Sequence, residues 1–521
     1  MDSRILTEHD ALDVAIIYSP YESAQIVSIS KEEALKIEGV HSVITAEDIP
    51  GENNILGTYG KCRLFAEGEV EYKGQILAAV LAENLEIAKE AMSFVFVEYK
   101  PLPPVIGIEE AVNFNNEHEN LKEYELIDKE VSSDDLKYVE INHSVPEYNS
   151  EKGQLSVVVE PDIGGGVTIY TNNIDSKIYA SSLEALLSLE SDKIIFKSSY
   201  DTSSCVPFDL IDLSICGLAS VCALYSKKKV VIPSDYSQGA AKRLRHGEIR
   251  MVSTVGYESD CKIRSVKLRM KLDCGSQSGT SSELWLGFLN VINQLNHCSI
   301  FDLICDRCKT NEVPNGSNVY DGAWIGLLVL EEAYRQIALE SSKRLSKVRR
   351  NNLPVDDSLE KLEAIYNERK ESVKKANGLD EGLKRGVYLI YLTTSNQRDS
   401  QINGDNLTGA ALTEVELDSH NKSIRLIYSN ITQQIDLSVS KSTQKASAVA
   451  SFISGVGKIS GFDNNKLGDS IKEASLTQIF PNELFCSIIP GKNSSLMIPY
   501  CLSLSVYFAI CNAIEEFDGE F

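Results

Sequence analysis

The sequence contains few residues whose types and spacing could support chemistry. Cys305 and Cys308 have the spacing of half a zinc or redox site, but no second pair of ligands follows, so a buried pair without a metal is favoured. Residues 455–458, Gly-Val-Gly-Lys, share glycines with a phosphate-binding loop, yet they lack its full spacing and the Ser or Thr after the lysine. Neither pattern predicts a functional site.

Histidine and serine patterns predict no metal or catalytic centre either. No serine lies in a Gly-x-Ser-x-Gly turn, so nucleophilic hydrolysis has no support. The histidines are scattered without metal-ligand spacing and are interpreted as surface or core residues: His9, His41, His118, His143, His246, His297 and His420.

Composition and charge limit the classes of function. The chain has 521 residues, of which 43% are hydrophobic and 24% charged, and this is typical of a folded protein of roughly three to four domains. Its net charge of −24 would repel phosphate backbones, and no basic stripe with interleaved aromatic residues is visible. We therefore expect no nucleic-acid partner.

Cysteine usage and apolar segments predict a cytoplasmic protein. The twelve cysteines are spread along the chain, often in apolar segments such as those around Cys216 and Cys501, which indicates buried thiols in a reducing compartment. The first ten residues show no secretory signal. Residues 496–514 carry no charge, but Pro499 and Asn512 interrupt them and nothing basic flanks them, so we predict a core helix and no membrane span.

The pattern of residues 1–112 predicts a small α/β unit. Ser30 and Glu33 form a capping-box pattern before a short helix, and Gly39 stands where its C-cap favours positive φ. A buried strand, a helix capped by Asn84 and a strand stopped by prolines then follow. Their residues are 76–81, 84–92 and 94–99. Because these local signals agree, we expect a compact unit that does not merge into the following sheet.

The rest of the chain is predicted to form a linker and two further units. Residues 113–137 are acidic and polar and indicate a surface linker. In residues 138–355 the pattern predicts a hairpin turned by Gly164–Gly166, a strand with one solvated face and a long helix with a basic end; these segments are 155–171, 266–272 and 324–350. Residues 356–521 include predicted strands at 387–392 and 410–417 and the closing apolar helix.

Short motifs in the first unit follow the order and spacing of a known domain. They resemble the α/β hammerhead domain of xanthine dehydrogenases and aldehyde oxidases, which are molybdenum hydroxylases. The matching motifs lie between Ala24 and Val112 and are Ala46-Glu47-Asp48-Ile49-Pro50, Tyr72-Lys73-Gly74-Gln75-Ile76, Val97-Glu98-Tyr99, Leu102-Pro103-Pro104 and Ile108-Glu109-Glu110-Ala111.

Later segments resemble the molybdopterin-binding region of the same family. They are Cys308-Lys309-Thr310-Asn311 with Pro314, Gly409-Ala410-Ala411 with Glu414, Val415 and Glu416, and Ser451-Phe452-Ile453 before Gly455-Val456-Gly457. Compared with the family, a stretch between about Gly386 and Gly409 is missing, and nothing resembles the iron–sulfur or flavin domains.

The resemblance implies a mixed α+β and α/β fold. We expect an α/β hammerhead domain at 1–112, an acidic linker at 113–137, and a divergent, shortened molybdopterin-binding-type domain. That domain would consist of two subdomains, residues 138–355 and 356–521.

The resemblance places two catalytic groups of the family at residues that cannot replace them. The family's proton-accepting Glu, in a Gly-Glu-Pro-Pro sequence before the last helix, corresponds to Met497, with Pro499 kept. Its substrate-orienting Arg, in a Phe-Arg-Gly-Phe-Gly sequence, corresponds to Tyr320 or Asp321, depending on the register. The sequence therefore predicts neither the base nor the cation.

The family's glycine-rich cofactor loop has no glycine in the matching stretch, residues 203–209. Asp209 could replace the Glu of that loop only if the register slips by one. The vestigial cofactor-binding positions are Ser203, Ser204, Cys205, Gly455 and Gly457. We therefore predict no catalytic, cofactor-binding or metal-binding residues.

These losses favour a catalytically degenerate homologue, a pseudoenzyme, of the molybdenum-cofactor portion of the family. It would hold no cofactor and would bind a ligand, a second copy of itself or a family-related partner chain. The alternative is an active molybdenum hydroxylase subunit with molybdopterin, which oxidises purines or aldehydes and relies on separate iron–sulfur and flavin subunits. A third interpretation is a truncated gene product with little function of its own.

Overall fold

The computed structural model describes most of the chain between residues 11 and 515. The described residues are 11–126, 136–151, 156–171, 176–198, 210–233, 243–295, 298–353, 357–379, 382–394, 407–421, 423–436, 441–460, 475–478, 481–491 and 497–515.

The first segment contributes strands to two sheets. Its elements are β1 (Ala11–Tyr18), β2 (Ala24–Ser30), β3 (Val40–Ile44), β4 (Glu69–Val70), β5 (Ile76–Ala82), α1 (Leu85–Met92), β6 (Phe96–Pro101) and α2 (Gly107–Asn113). Strand β2 lies between β4 and β6 in a three-stranded antiparallel sheet. Strands β1, β5 and β3 form one end of a seven-stranded sheet.

Strand β5 is the most deeply buried element of this segment, as the continuous apolar sequence predicts. All of its residues are buried, because β1 and β3 flank it and apolar clusters cover both faces of the sheet. Ala88 and Ala91 of α1 belong to the cluster on one face, and Leu56 and Phe65 to the cluster on the other. The predicted buried strand is confirmed.

Helix α1 begins at the predicted cap. The Asn84 side chain accepts a hydrogen bond from the backbone N–H of Ile87 at 3.0 Å. We expect Asn84→Ala to lower the free energy of unfolding by about 1 kcal/mol, because one helix-terminal donor loses its partner. Urea unfolding measures this change. Glu83→Ala, an exposed neighbour outside the cap, serves as the control, and equal losses in the two variants would contradict a capping role.

The helix predicted after Ser30 is wrong in type. The chain forms only one 3-10 turn, Ala34–Lys36, and its N-cap Glu33 makes no side-chain capping bond. The capping box of this segment lies further on, where the backbone N–H of Thr45 donates to Asp48 at 2.9 Å. Both places carry the same residue pattern, so spacing alone does not distinguish them.

The second segment adds a longer series of strands and helices. Its elements are β7 (Leu121–Leu126), β8 (Lys137–Val145), β9 (Tyr148–Glu151), β10 (Val157–Pro161), β11 (Val167–Thr171), α3 (Ser176–Leu187), β12 (Ile194–Ser198), α4 (Leu210–Ser226), β13 (Lys229–Ile232), β14 (Arg243–His246), β15 (Ile249–Tyr257), β16 (Ile263–Asp273), α5 (Ser281–Ile292), β17 (Ile300–Cys308), α6 (Val319–Ser341) and α7 (Leu345–Asn352). The predicted hairpin is confirmed, since β10 and β11 pair antiparallel.

The seven-stranded sheet joins the first two segments. Its order is β12-β11-β10-β13-β1-β5-β3, and residues 11–13 of β1 pair in parallel with residues 229–231 of β13. The expectation of a first unit that does not merge into the following sheet is therefore wrong. Local sequence patterns indicate which segments form strands but carry no information about which strands pair.

A five-stranded sheet of order β7-β17-β16-β15-β8 forms the centre of the second segment. Lys267 and Arg269 of β16 are exposed and the alternate residues are buried, so the predicted strand with one solvated face is confirmed. Strand β7 pairs antiparallel with β17, which means that part of the predicted linker 113–137 is an edge strand. An edge strand has a solvated face that accommodates charged side chains. The glutamates of β7 therefore give this strand the acidic composition that predicts a linker.

The long helix predicted at 324–350 is two helices. Ser342 adopts the left-handed conformation, with φ of 54°, and ends α6 before α7 begins. Arg349 of α7 forms a buried ion pair with Glu331 of α6, and Tyr388 donates to the same carboxylate at 2.5 Å. Arg349 therefore has a buried partner in addition to any interaction with a helix dipole.

The third segment packs helices on a sheet. Its elements are α8 (Asp357–Asn377), β18 (Leu383–Thr394), β19 (Leu407–Asp418), β20 (Ser423–Asp436), α9 (Lys441–Ser460), β21 (Ser475–Gln478), β22 (Glu483–Gly491), α10 (Met497–Leu502) and α11 (Leu504–Glu515). The strand order is β18-β19-β20-β21, and β22 also pairs with β20. The strands predicted at 387–392 and 410–417 are confirmed.

The apolar helical stretch Met497–Glu515 is long and apolar enough to cross a membrane, and 83% of its apolar window is buried inside the protein. Phe508 stacks on Tyr388 of β18 with ring centroids 4.9 Å apart. The stretch is divided between α10 and α11 at Ser503, which corrects the single predicted helix. The predicted core position is confirmed.

Candidate functional site

The first turn of α6 carries Asp321, one of the two residues that match the family's arginine. Asn318 is the N-cap of this helix, and its backbone N–H donates to the Asp321 carboxylate at 2.9 Å. In return, the Asn318 side chain accepts from the backbone N–H of Tyr320 at 2.8 Å. Asp321 is only 1% exposed. Its carboxylate is thus part of the capping box that begins the helix.

Two tyrosines from distant elements donate to the same carboxylate. The Tyr500 hydroxyl of α10 lies 2.7 Å from Asp321 Oδ1, and the Tyr148 hydroxyl of β9 lies 3.4 Å from it. Burial and the nearby Asp321 charge raise the pKa of both tyrosines well above the ordinary value. Both hydroxyls therefore stay protonated at neutral pH and can donate.

His246 of β14 completes this buried cluster. Its ring stacks on Tyr148 with centroids 4.1 Å apart and an angle of 4° between the planes. Its Nδ1 lies 3.1 Å from Ser317 Oγ and 3.5 Å from Asp321 Oδ2. We call Tyr148, His246, Asp321 and Tyr500 the Asp321 cluster.

The cluster joins three parts of the fold. β9 and β14 supply one side as a two-stranded antiparallel pair, α6 supplies the carboxylate, and α10 supplies Tyr500. Next to it, Arg245 donates to Asp273 and to Glu147, each at 2.7 Å. Arg245 is the neighbour of His246 in the chain, but its charge is paired with Asp273 and Glu147.

The other residue that matches the family's arginine, Tyr320, is half-buried. Its ring packs at a tilt against Tyr500, with centroids 5.9 Å apart. Met497, which matches the family's base, is the first residue of α10, is 8% exposed and belongs to the largest apolar core. The structure thus brings all three substituted positions to the junction of α6 and α10.

Gly455 and Gly457 lie within α9 rather than in a loop. A Cβ at Gly455 would clash with Ser503 Oγ and would come within 2.5 Å of the Tyr500 carbonyl oxygen. The absence of a side chain there allows α9 to pack against α10. The interpretation of Gly455 as a vestigial loop position is therefore wrong.

The remaining predicted positions form no site among the residues that the structure describes. Ser203, Ser204, Cys205 and Asp209 lie outside the described residues. Cys305 and Cys308 are buried on β17, and burial raises the pKa of the Cys308 thiol to about 12. Within the described ranges, no three metal-ligating side chains come together.

Sequence reasoning missed Tyr148, His246 and Tyr500. Each is separated from Asp321 by tens to hundreds of residues, and the tyrosines lie 173 and 179 positions away. No motif spacing links such residues, so only the assembled fold identifies the cluster.

Comparison with known proteins identifies the first segment. Residues 6–103 match the model of the aldehyde oxidase and xanthine dehydrogenase a/b hammerhead domain. This range holds the motifs between residues 46 and 99, on which part of the resemblance rests.

Two relatives illustrate how far the sequence similarity extends. Xanthine dehydrogenase 1 of Arabidopsis thaliana is 24% identical over 365 residues, which cover 67% of this chain and 26% of the relative. Aldehyde oxidase 4 of Cavia porcellus is 42% identical over 106 residues, which cover 20% of this chain and 8% of the relative. The matches thus span about a quarter or less of these relatives.

The fold similarity covers nearly the whole chain. The aldehyde oxidoreductase of Desulfovibrio gigas superimposes with a TM-score of 0.80 at 14% identity, over 99% of this chain and 76% of that one. The expected hammerhead and molybdopterin-binding-type architecture is confirmed. Residues 6–103 therefore form a domain of the aldehyde oxidase and xanthine dehydrogenase a/b hammerhead type, and the fold of the chain as a whole is similar to that of an aldehyde oxidoreductase.

Proposed function

We propose that this chain is a catalytically inactive member of the oxidoreductase family that it resembles. It keeps the fold of a molybdenum hydroxylase and acts through binding rather than through turnover. The observation that carries this proposal is the Asp321 cluster. At one of the two residues that match the family's substrate-orienting arginine, the chain has a buried carboxylate that accepts hydrogen bonds from Tyr500 and Tyr148.

The chemistry of the substituted positions supports the proposal. Oxidation by such enzymes needs a base that takes a proton, and a thioether at Met497 has no basic site for that step. A cation near the substrate would stabilise developing negative charge, whereas the Asp321 carboxylate would oppose it. Loss of the base and loss of the cation each act against catalysis on their own.

We also propose that the chain holds no molybdopterin group. The Asp321 carboxylate is used by the helix cap and the two tyrosines, and Gly455 faces the Tyr500 carbonyl oxygen rather than open space. These contacts support a chain without this cofactor.

We further propose a cytoplasmic location and an assembly with a second copy or a family-related partner chain. The described cysteines are all free, which agrees with a reducing compartment. One relative, from Bacillus subtilis, is named as a probable xanthine dehydrogenase subunit and is 25% identical over 273 residues, which cover 50% of this chain and 36% of the relative. A relative with that name makes a partner chain the natural assembly to test.

The test is turnover by the purified full-length chain. We expect no oxidation of xanthine or of benzaldehyde when an artificial electron acceptor is supplied, in samples made with and without molybdate in the growth medium. The aldehyde oxidoreductase of Desulfovibrio gigas serves as the active control. Turnover that depends on the acceptor and is abolished by cyanide would favour an active hydroxylase instead.

A further inference from the structure

A cavity of about 480 Å³ lies between the hammerhead segment and the sheet of the second segment. The loop around Lys61 lines one side, and Ser276, Arg307 and Lys309 line the other, with His118 between them. No residue of the Asp321 cluster borders this space. Its volume suits a small organic molecule.

Arg307 is a buried cation in the lining of this cavity. It is 8% exposed, and its guanidinium donates to the backbone carbonyl of Glu119 at 2.5 Å and to Ser281 Oγ at 3.3 Å. Among the residues that the structure describes, no carboxylate forms an ion pair with it. A buried cation without a counter-charge is costly, so an anion in the cavity would stabilise it.

Two residues that line the cavity each carry a buried polar atom without a hydrogen-bond partner. Ser276 is fully buried and its hydroxyl makes no hydrogen bond. His118 is half-buried, and its Nε2 atom is buried and also has no hydrogen-bond partner. Buried polar atoms are nearly always hydrogen-bonded, and each exception calls for an explanation. A ligand in the cavity would supply the missing partners.

The charges around the cavity favour an anion. Arg63 and Lys309 share the carboxylate of Glu71, at 3.5 and 3.7 Å, while Lys61 has no ion-pair partner among the described residues. Burial, followed by the charges of Lys309 and Arg307, lowers the pKa of His118 to about 4. The histidine is therefore neutral at pH 7, mainly because it is buried, and the two cations contribute further to the lowered pKa.

We propose that this cavity binds a small anion that carries a carboxylate or a phosphate group. The oxyanion pairs with Arg307, with Lys61 as a second, more exposed cation, and another polar atom of the ligand bonds to Ser276 Oγ and His118 Nε2. The exposed carboxylates of Glu52 and Glu119 also border the space, so the ligand places its negative group on the Arg307 side.

The test is isothermal titration calorimetry of the full-length chain with two probes, inorganic phosphate and malonate, at low ionic strength and pH 7. We expect saturable binding of at least one probe, and the stronger one identifies the oxyanion class. Arg307→Lys keeps the charge but removes the two-pronged donor, and we expect it to weaken binding by about tenfold. Lys61→Gln should weaken it by about threefold, because this cation is exposed.

Lys267→Gln is the matched control, since this exposed lysine lies on β16 away from the cavity lining and should leave the affinity unchanged. Circular dichroism melting of each variant confirms that it folds. The proposal fails if neither probe gives saturable heat up to about 10 mM, a concentration far above useful affinity. It also fails if Lys267→Gln weakens binding as much as Lys61→Gln. Neither outcome bears on molybdenum content, so this inference and the proposed function fail separately.

Discussion

Replacing Asp321 by alanine is expected to lower the free energy of unfolding by about 3 kcal/mol. The change removes a capping-box carboxylate, which is worth about 1 kcal/mol, and leaves the buried Tyr500 hydroxyl without its acceptor, which costs about 1–3 kcal/mol. Urea unfolding, followed by circular dichroism, measures the loss. We expect a large loss of unfolding free energy because the Asp321 carboxylate has a structural role.

Two variants make this result specific. Asp192→Ala removes an exposed carboxylate with no side-chain partner among the described residues and should change the stability by less than about 0.5 kcal/mol. Tyr500→Phe removes only the hydroxyl and should cost less than Asp321→Ala, with a combined loss smaller than the sum of the two. If Asp321→Ala and Asp192→Ala were equally mild, the carboxylate would not be part of the structural cluster.

Met497→Glu is expected to destabilise the chain by several kcal/mol and to restore no oxidase activity. The residue is 8% exposed and lies in the largest apolar core, so a carboxylate there would be desolvated among apolar side chains. Catalysis would still lack the cation, because Asp321 and Tyr320 remain. Thermal and urea unfolding together with the acceptor-dependent assay measure both parts.

The control for this change is Met497→Leu, which conserves volume and should cost less than about 1.5 kcal/mol. A Met497→Glu variant that is as stable as Met497→Leu would show a site open enough to ionise a carboxylate. A gain of turnover in that variant would mean that the rest of a catalytic site is present.

Local chemistry explains what the sequence could predict. The apolar run of β5, the Asn84 cap and the Gly164–Gly166 turn each act over a few residues, and each forms where the sequence places it. The left-handed Ser342 that divides α6 from α7 was missed, because serine carries no strong preference for that conformation. The capping-box spacing occurs both at Ser30 and at Thr45, and the spacing alone does not show that only the second one forms.

Contacts between distant residues could not be predicted in this way. The pairing of β1 with β13 joins residues more than two hundred positions apart, and the sequence marks neither strand as the partner of the other. The Asp321 cluster depends on a pairing of β9 with β14 and on the approach of α10 to α6. The family resemblance identified the substituted positions, but not that Asp321 would be held by Tyr148, His246 and Tyr500.

The molybdenum content of the purified chain tests the central claim most directly. The protein is produced in cells that make molybdopterin and are supplied with molybdate, and metal per chain is measured by elemental analysis beside the aldehyde oxidoreductase of Desulfovibrio gigas. We expect far less than one molybdenum atom per chain, because in an inactive relative the Asp321 cluster occupies the junction of α6 and α10. Stoichiometric molybdenum would contradict it and indicate a cofactor site rebuilt around different residues.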